Sequence, residues 1–143
     1  MSKKSGKIAE LIQSCQGQEQ DAHYLGYFLC FNAGLYYEAH DVLEELWLRE
    51  RGRPNDSFYK GLIQFAGAFV HLQKNRLKPS AALFKLAEAN LTKYPGRHEA
   101  LRVDLVLEEI RRWLNLLEQS NFSVNPLGPN QPAIIEPQPR DTE

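Results

Sequence analysis

The sequence lacks the features that mark membrane, secreted and disulfide-bonded proteins. None of its apolar runs approaches the roughly 20 residues that a helix needs to cross a bilayer. No continuous apolar segment follows the N-terminal lysines, as it would in a secretory signal. The two cysteines, Cys15 and Cys30, form no C-x-x-C pair and are too few for a disulfide framework. These absences predict a cytoplasmic protein with two reduced thiols and no membrane partner.

A surplus of charge of one sign is also missing. The 17 lysines and arginines nearly match the 18 aspartates and glutamates, and the formal net charge is −1. Proteins that bind nucleic acid usually have a basic surplus or a block of basic residues. Gly61 and Gly67 do not belong to a glycine-rich loop, so nucleotide-binding motifs are absent as well. We therefore expect no nucleic acid among the partners of this protein.

Hydrophobic residues in the middle of the chain recur at the three- and four-residue spacing of amphipathic helices. This periodicity predicts five helices, at about residues 21–32, 36–51, 55–74, 78–94 and 98–119. We expect Gly34 to end the first helix, because glycine readily adopts the left-handed conformation that follows a helix C-terminus. No segment has the sustained alternation of a strand, and the connections are short. The sequence therefore predicts an all-α, compact antiparallel bundle of about five helices.

The composition changes at both ends of this bundle. Residues 1–20 are polar and are predicted to be a flexible N-terminal segment or a short helix, and residues 21–120 are predicted to be the helical bundle domain. Five of the eight prolines lie after residue 121, and proline at this density cannot continue a helix. Residues 121–143 are therefore predicted to be an extended Pro-rich C-terminal tail. We favour a disordered end, with residues 133–135 lying on the domain surface as the alternative.

The second predicted helix carries two titratable side chains inside its apolar stripe. On a helical wheel of about 100° per residue, three side chains fall within about 40° of His40: Tyr36, Glu44 and Trp47. Tyr37 lies slightly further round, and the clearly polar positions group on the opposite side. A carboxylate buried without a partner is strongly destabilising, so Glu44 must be paired, ligated, protonated or open to a water-filled cleft. His40, one turn earlier, offers one such pairing.

The third predicted helix offers a polar stripe that complements the second. Nearly all of its circumference is apolar or small, except for four residues within about 40° of one another: Lys60, Gln64, Gly67 and His71. If this stripe faces the second helix, Gln64 and His71 converge with His40 and Glu44. If it faces water, it is only an exposed edge, and periodicity does not distinguish the two arrangements.

Three blocks of the sequence resemble the domain-of-unknown-function family numbered 309. The segment 34–47, with Gly34, an aromatic pair, Glu38-Ala39-His40, then Leu43-Glu44 and Trp47, looks like its hallmark. Residues 60–64 with His71 resemble a second block, and Asn75 with residues 81–83 resembles a third, so the resemblance covers about residues 23–95. Asp41 and Arg76 depart from the family, which commonly has Glu and Gly there. The resemblance implies a compact helical bundle of bacteria and archaea with no established activity.

Two groups of hypotheses follow for function. In the group that we favour, the chain is a structural or protein-interaction module. His40 and Glu44 then form a satisfied polar pair that sets helix packing. Exposed tyrosine and tryptophan in a groove would bind a protein or peptide partner, or a second copy in a homodimer.

The alternative is a small metal, ligand or hydrolase-like site. His40, Glu44 and His71 are the candidate ligands of a divalent metal ion, which three protein groups would leave open to water. Without metal, Glu44 is a candidate general base and His40 a group that orients the substrate. The candidate ligand-binding residues are Tyr37, His40, Glu44, Trp47, Gln64 and His71. The sequence does not decide whether the protein is an enzyme.

Overall fold

A computed structural model describes residues 20–138 of the chain. Within them lie five helices, named here α1 (Ala22–Asn32), α2 (Tyr36–Arg49), α3 (Asp56–Gln73), α4 (Leu77–Leu91) and α5 (Val103–Gln119). Two short strands, β1 (Arg97–His98) and β2 (Leu101–Arg102), precede α5. The predicted all-α bundle is confirmed. None of the described helices is both long and apolar enough to span a membrane. The predictions for residues 1–19, including Cys15, lie outside the described residues.

Local signals set the two ends of α1. The carboxylate of Asp21 accepts a hydrogen bond of 2.7 Å from the backbone N–H of His23 and caps the first turn. At the other end Gly34 has a φ of 79°, and the N–H of Leu35 donates to the carbonyl of Cys30 at 2.9 Å. This is a glycine-terminated helix end, so the predicted stop at Gly34 is confirmed.

Consecutive helices pack against one another through α4, and α5 closes the bundle against α4. The indole N–H of Trp47, near the end of α2, donates to Asp56 at the start of α3, as expected for antiparallel neighbours. The helices α3 and α4 approach closely at Gly61, where a Cβ atom would lie 2.8 Å from Cγ of Leu91. Glycine is therefore required at this crossing, because a side chain would collide with a buried leucine.

Aromatic side chains from all five described helices dominate the core. Phe69 on α3 lies at its centre, with five aromatic rings at centroid distances of 5.0–5.4 Å: Phe31, Tyr36, Phe65, Phe84 and Trp113. Most of these contacts are edge-to-face, the arrangement that the ring quadrupole favours. This dense packing makes α3 the central element of the fold.

The fifth helix begins five residues later than predicted, because residues 97–102 form a small antiparallel hairpin. Its turn residues, Glu99 and Ala100, have φ values of 49° and 63°, as in a type I′ turn. Tyr24 donates to the carbonyl of Glu99, and the N–H of Gln138 donates to that of Ala100, each at 2.8 Å. The prediction of a helix from His98 was wrong here because this turn has neither asparagine nor glycine to announce it, and distant residues hold it in place.

Residues 121–138 run along the bundle without a helix. Asn32 on α1 exchanges two hydrogen bonds with the backbone of Ile135, at 2.7 and 3.1 Å, and the Ile135 side chain is buried. The backbone N–H of Ala133 donates to Glu109 on α5 at 2.9 Å. Up to residue 138 these contacts hold the segment against α1 and α5.

Candidate functional site

A small cleft opens between α2, α3 and α4, with a volume of about 240 Å³. Four apolar or small residues form its walls: Ile63, Gly67, Val70 and Leu83. Five polar residues complete the lining: Tyr37, His40, Gln64, His71 and Lys74. The polar stripe of α3 therefore lines the cleft from Gln64 to His71, whereas Lys60 is exposed and does not line it.

His40 enters the cleft from α2 beside Tyr37, which lies three residues earlier on the same face of the helix. The two rings are nearly parallel, with an interplanar angle of 13° and centroids 6.1 Å apart. His40 is half-buried, and its Nδ1 atom is buried without a hydrogen-bond partner in the described part of the chain. A buried polar atom without a partner is uncommon in a folded protein and needs an explanation.

His71 faces the cleft from the last turn of α3 and repeats this feature. Its Nδ1 atom is also buried without a hydrogen-bond partner among residues 20–138. Burial lowers the pKa of His71 below 6.5, and the positive charges of Arg76 and Lys74 lower it further. The imidazole is therefore neutral at pH 7, with one nitrogen that donates and one that accepts.

Gln64 is held in place from the neighbouring helix. Its Oε1 atom accepts a hydrogen bond of 2.8 Å from Nδ2 of Asn90 on α4. With the oxygen engaged, Nε2 is the group that Gln64 can offer to the cleft, and it carries two donor hydrogens. Lys74 adds a positive charge at the end of α3, and no aspartate or glutamate is among the lining residues described. The cleft therefore has apolar walls and donors at two ends, because Gln64 and Lys74 lie about 15 Å apart along α3.

Two of the predicted site residues, Glu44 and Trp47, do not line this cleft. The Trp47 indole N–H donates to Asp56 at 2.7 Å, and the Arg51 guanidinium lies 5.4 Å from the centre of the Trp47 ring. Glu44 is half-buried, and no hydrogen bond joins it to the buried Nδ1 of His40 within residues 20–138. Positions four residues apart are separated by about 6 Å along a helix, enough for Glu44 to lie beyond a small cleft.

The metal-site hypothesis requires three ligands at one point. Among residues 20–138, no three His, Cys, Asp or Glu side chains are close enough together to hold a metal ion. The predicted arrangement of His40, Glu44 and His71 is therefore not formed in this structure. The physical reason is that the cleft unites the two histidines and excludes the carboxylate.

Sequence reasoning missed Lys74 and the Asn90 contact. Lys74 lies three residues after His71 and so on the same side of the chain, a spacing that could have identified it. Asn90 belongs to another helix, and no local pattern links it to Gln64.

A second, larger groove of about 590 Å³ lies between α5 and the C-terminal segment. Its main polar groups are already engaged: Arg112 donates to Glu109 and to the carbonyl of Gln131. Burial raises the pKa of Glu109, but hydrogen bonds from Arg112, the Ala133 N–H and the Trp113 indole outweigh it and lower that pKa. These groups hold the segment in place, so the α2–α4 cleft is the better candidate site.

These observations define the protein as a helical bundle with a small, donor-rich cleft. Residues 24–91, from α1 to the end of α4, match the model of the family described as Domain of unknown function (DUF309). Comparison with curated proteins and with solved structures gives no match. The family supplies no activity, so any functional argument depends on the cleft itself.

Proposed function

We propose that this domain binds a small organic molecule in the cleft between α2, α3 and α4. One observation carries the proposal: two imidazole nitrogens, on His40 and His71, are buried at the same cleft without hydrogen-bond partners. Only one other buried side-chain nitrogen or oxygen in the described residues, Oγ of Ser80, is in this state.

Each buried polar atom without a partner destabilises a fold by about 1–3 kcal/mol. A residue retained only for packing has no need of such an atom, because an apolar side chain of similar size would serve as well. A ligand with hydrogen-bonding groups that widens the cleft on binding, and so reaches these nitrogens, would satisfy both atoms at once. The histidines are therefore better explained by binding than by packing.

The volume of the cleft bounds the size of the ligand. Pockets for drug-sized molecules occupy about 300–1,000 Å³, whereas a cavity of about 150 Å³ holds one benzene molecule. At about 240 Å³, this cleft fits a single ring or a branched chain with one polar group. For so few atoms we expect a Kd of about 0.1–1 mM for a generic fragment.

A protein partner is the second candidate, because Tyr37 at the edge of the cleft is 51% exposed. Exposed aromatic side chains are enriched among residues that dominate protein interfaces. An inserted side chain of a peptide, or of a second copy in a homodimer, would satisfy the same two nitrogens.

We keep the cytoplasm as the proposed location of the protein, because two cysteines without a C-x-x-C pair are typical of reduced thiols.

The test uses three ring compounds as probes: benzoate, benzyl alcohol and benzylamine. Each is titrated into the full chain while proton–nitrogen correlation spectra are recorded. We expect at least one probe to cause saturable shifts in residues 63–74. Val70→Phe, which fills the cleft from α3, and Leu83→Phe, which fills it from α4, should abolish these shifts.

The matched control is Leu48→Phe, which adds the same ring at a position that is 51% exposed and outside the cleft. It should leave the shifts unchanged. If no probe shifts these residues, or if the cleft-filling variants bind as well as the unmodified chain, the small-molecule proposal is wrong.

A further inference from the structure

We infer that the ligand of this cleft is a small carboxylic acid with an apolar body, bound as its anion with the carboxylate beside Lys74 and His71. The inference rests on the proposed function, since it names the chemical class of the molecule bound at the same site.

The lining residues provide more donors than acceptors. The ammonium group of Lys74 only donates, and the fixed amide of Gln64 presents its nitrogen because the oxygen is bound to Asn90. The neutral imidazole of His71 adds one donor. A carboxylate is complementary to this set, because it only accepts and has about four lone-pair sites. An ammonium group beside Lys74 would meet a like charge and would leave the donors of Lys74 without partners.

Charge favours the same class of ligand. Lys74 is the one charged residue that lines the cleft in the described part of the chain, and Arg76 is near enough to act on His71. The end of α3 is the negative end of its dipole and would oppose an anion. Three N–H groups, of Lys74, Asn75 and Arg76, already bind the last carbonyls of α3, so much of that opposition is removed.

The walls determine what is attached to the carboxylate. Ile63, Val70 and Leu83 present hydrocarbon surface, and the volume leaves room for one ring or a short branched chain. Charged or strongly polar substituents on this part would be buried without partners and would weaken binding. The predicted class is therefore a small aromatic or branched aliphatic acid.

The same three probes test the class, because benzoate, benzyl alcohol and benzylamine share one ring and differ in the polar group. We expect benzoate to bind about tenfold more tightly than benzylamine, with benzyl alcohol between them. Lys74→Met should weaken benzoate about tenfold and change benzyl alcohol less than about twofold. Lys74→Arg, which keeps the charge, should retain most of the benzoate affinity.

The matched control is Lys85→Met, which removes an exposed lysine of α4 that does not line the cleft. It should leave all three affinities unchanged. If benzyl alcohol or benzylamine binds at least as tightly as benzoate, or if Lys74→Met weakens all three probes equally, the carboxylate inference is wrong and the small-molecule proposal stands. If none of the three binds, both are wrong.

Discussion

Buried polar groups described on one side of α3 are hydrogen-bonded, and those described on the other side lack partners. On the side that faces α1, Tyr27 is fully buried, and its hydroxyl donates to the carbonyl of Leu62 at 2.6 Å. On the side that faces the cleft, His40 and His71 each bury a nitrogen that has no partner within residues 20–138. Both sides are built from the same helix, so local sequence preference does not explain the difference.

This contrast separates groups that stabilise the fold from groups that are available to bind. Burial raises the pKa of Tyr27 well above its ordinary value, because the phenolate would be desolvated. That tyrosine is neutral and hydrogen-bonded at any physiological pH, which suits a structural role. The buried nitrogens of His40 and His71 have no such hydrogen bond within residues 20–138. Replacing these two histidines should therefore affect stability differently from replacing residues on the α1 side of α3, and four predictions test that difference.

The largest change in the free energy of unfolding should come from a substitution in the aromatic core. Phe69→Ala removes the ring at the centre of the aromatic core and should lower the free energy of unfolding by about 3–5 kcal/mol. Chemical denaturation followed by circular dichroism measures this. Leu86→Ala, at a position that is 50% exposed, is the control and should change it by no more than about 0.5 kcal/mol. Similar losses in both variants would mean that the core is not where the structure places it.

A smaller effect on the same side should follow removal of one hydroxyl. Tyr27→Phe keeps the ring and loses the hydrogen bond to Leu62, which should lower the free energy of unfolding by about 1 kcal/mol. The same denaturation experiment measures the loss. An increase in stability would show that this buried hydroxyl is as poorly satisfied as the histidine nitrogens and would remove the contrast.

On the cleft side of α3, substitution should not lower the free energy of unfolding. Replacing both His40 and His71 with leucine removes two buried nitrogens that lack partners, so stability should be unchanged or higher, by up to about 1–3 kcal/mol for each nitrogen. Probe binding at the cleft should be lost in the same protein. A loss of stability of more than about 1 kcal/mol would instead support a structural role for the two histidines.

The smallest effect should appear in the pH dependence. The pKa of His71 lies below 6.5 in the folded chain, chiefly because of burial, and returns to its ordinary value on unfolding. Just below pH 6.5 the unfolded state therefore binds more protons than the folded state, so stability falls as the pH falls. His71→Gln should make the curve of stability against pH flatter between about pH 7.5 and 5.5. A steeper curve in the variant would mean that the sign of the shift is wrong.

Much of the fold could be predicted because its signals are local. The predicted stop at Gly34 acts within a few residues, and the structure has it; the cap that Asp21 provides is equally local. The hairpin at residues 97–102 could not be predicted, because Tyr24 and Gln138 hold its turn from distant parts of the chain. The surface position of the C-terminal segment likewise depends on Asn32, more than 100 residues away from Ile135.

The candidate site could likewise be predicted only where its signal lies within a single helix. Helical periodicity was enough to bring His40 to an inward face of α2 and to group Gln64 with His71 on one stripe of α3, because each pattern belongs to a single helix. Which stripes meet depends on how whole helices pack, and only the folded chain brought His40 and His71 to one cleft and left Glu44 outside it. A helix repeats every 3.6 residues without specifying its neighbour, and packing of the large aromatic core selects that neighbour.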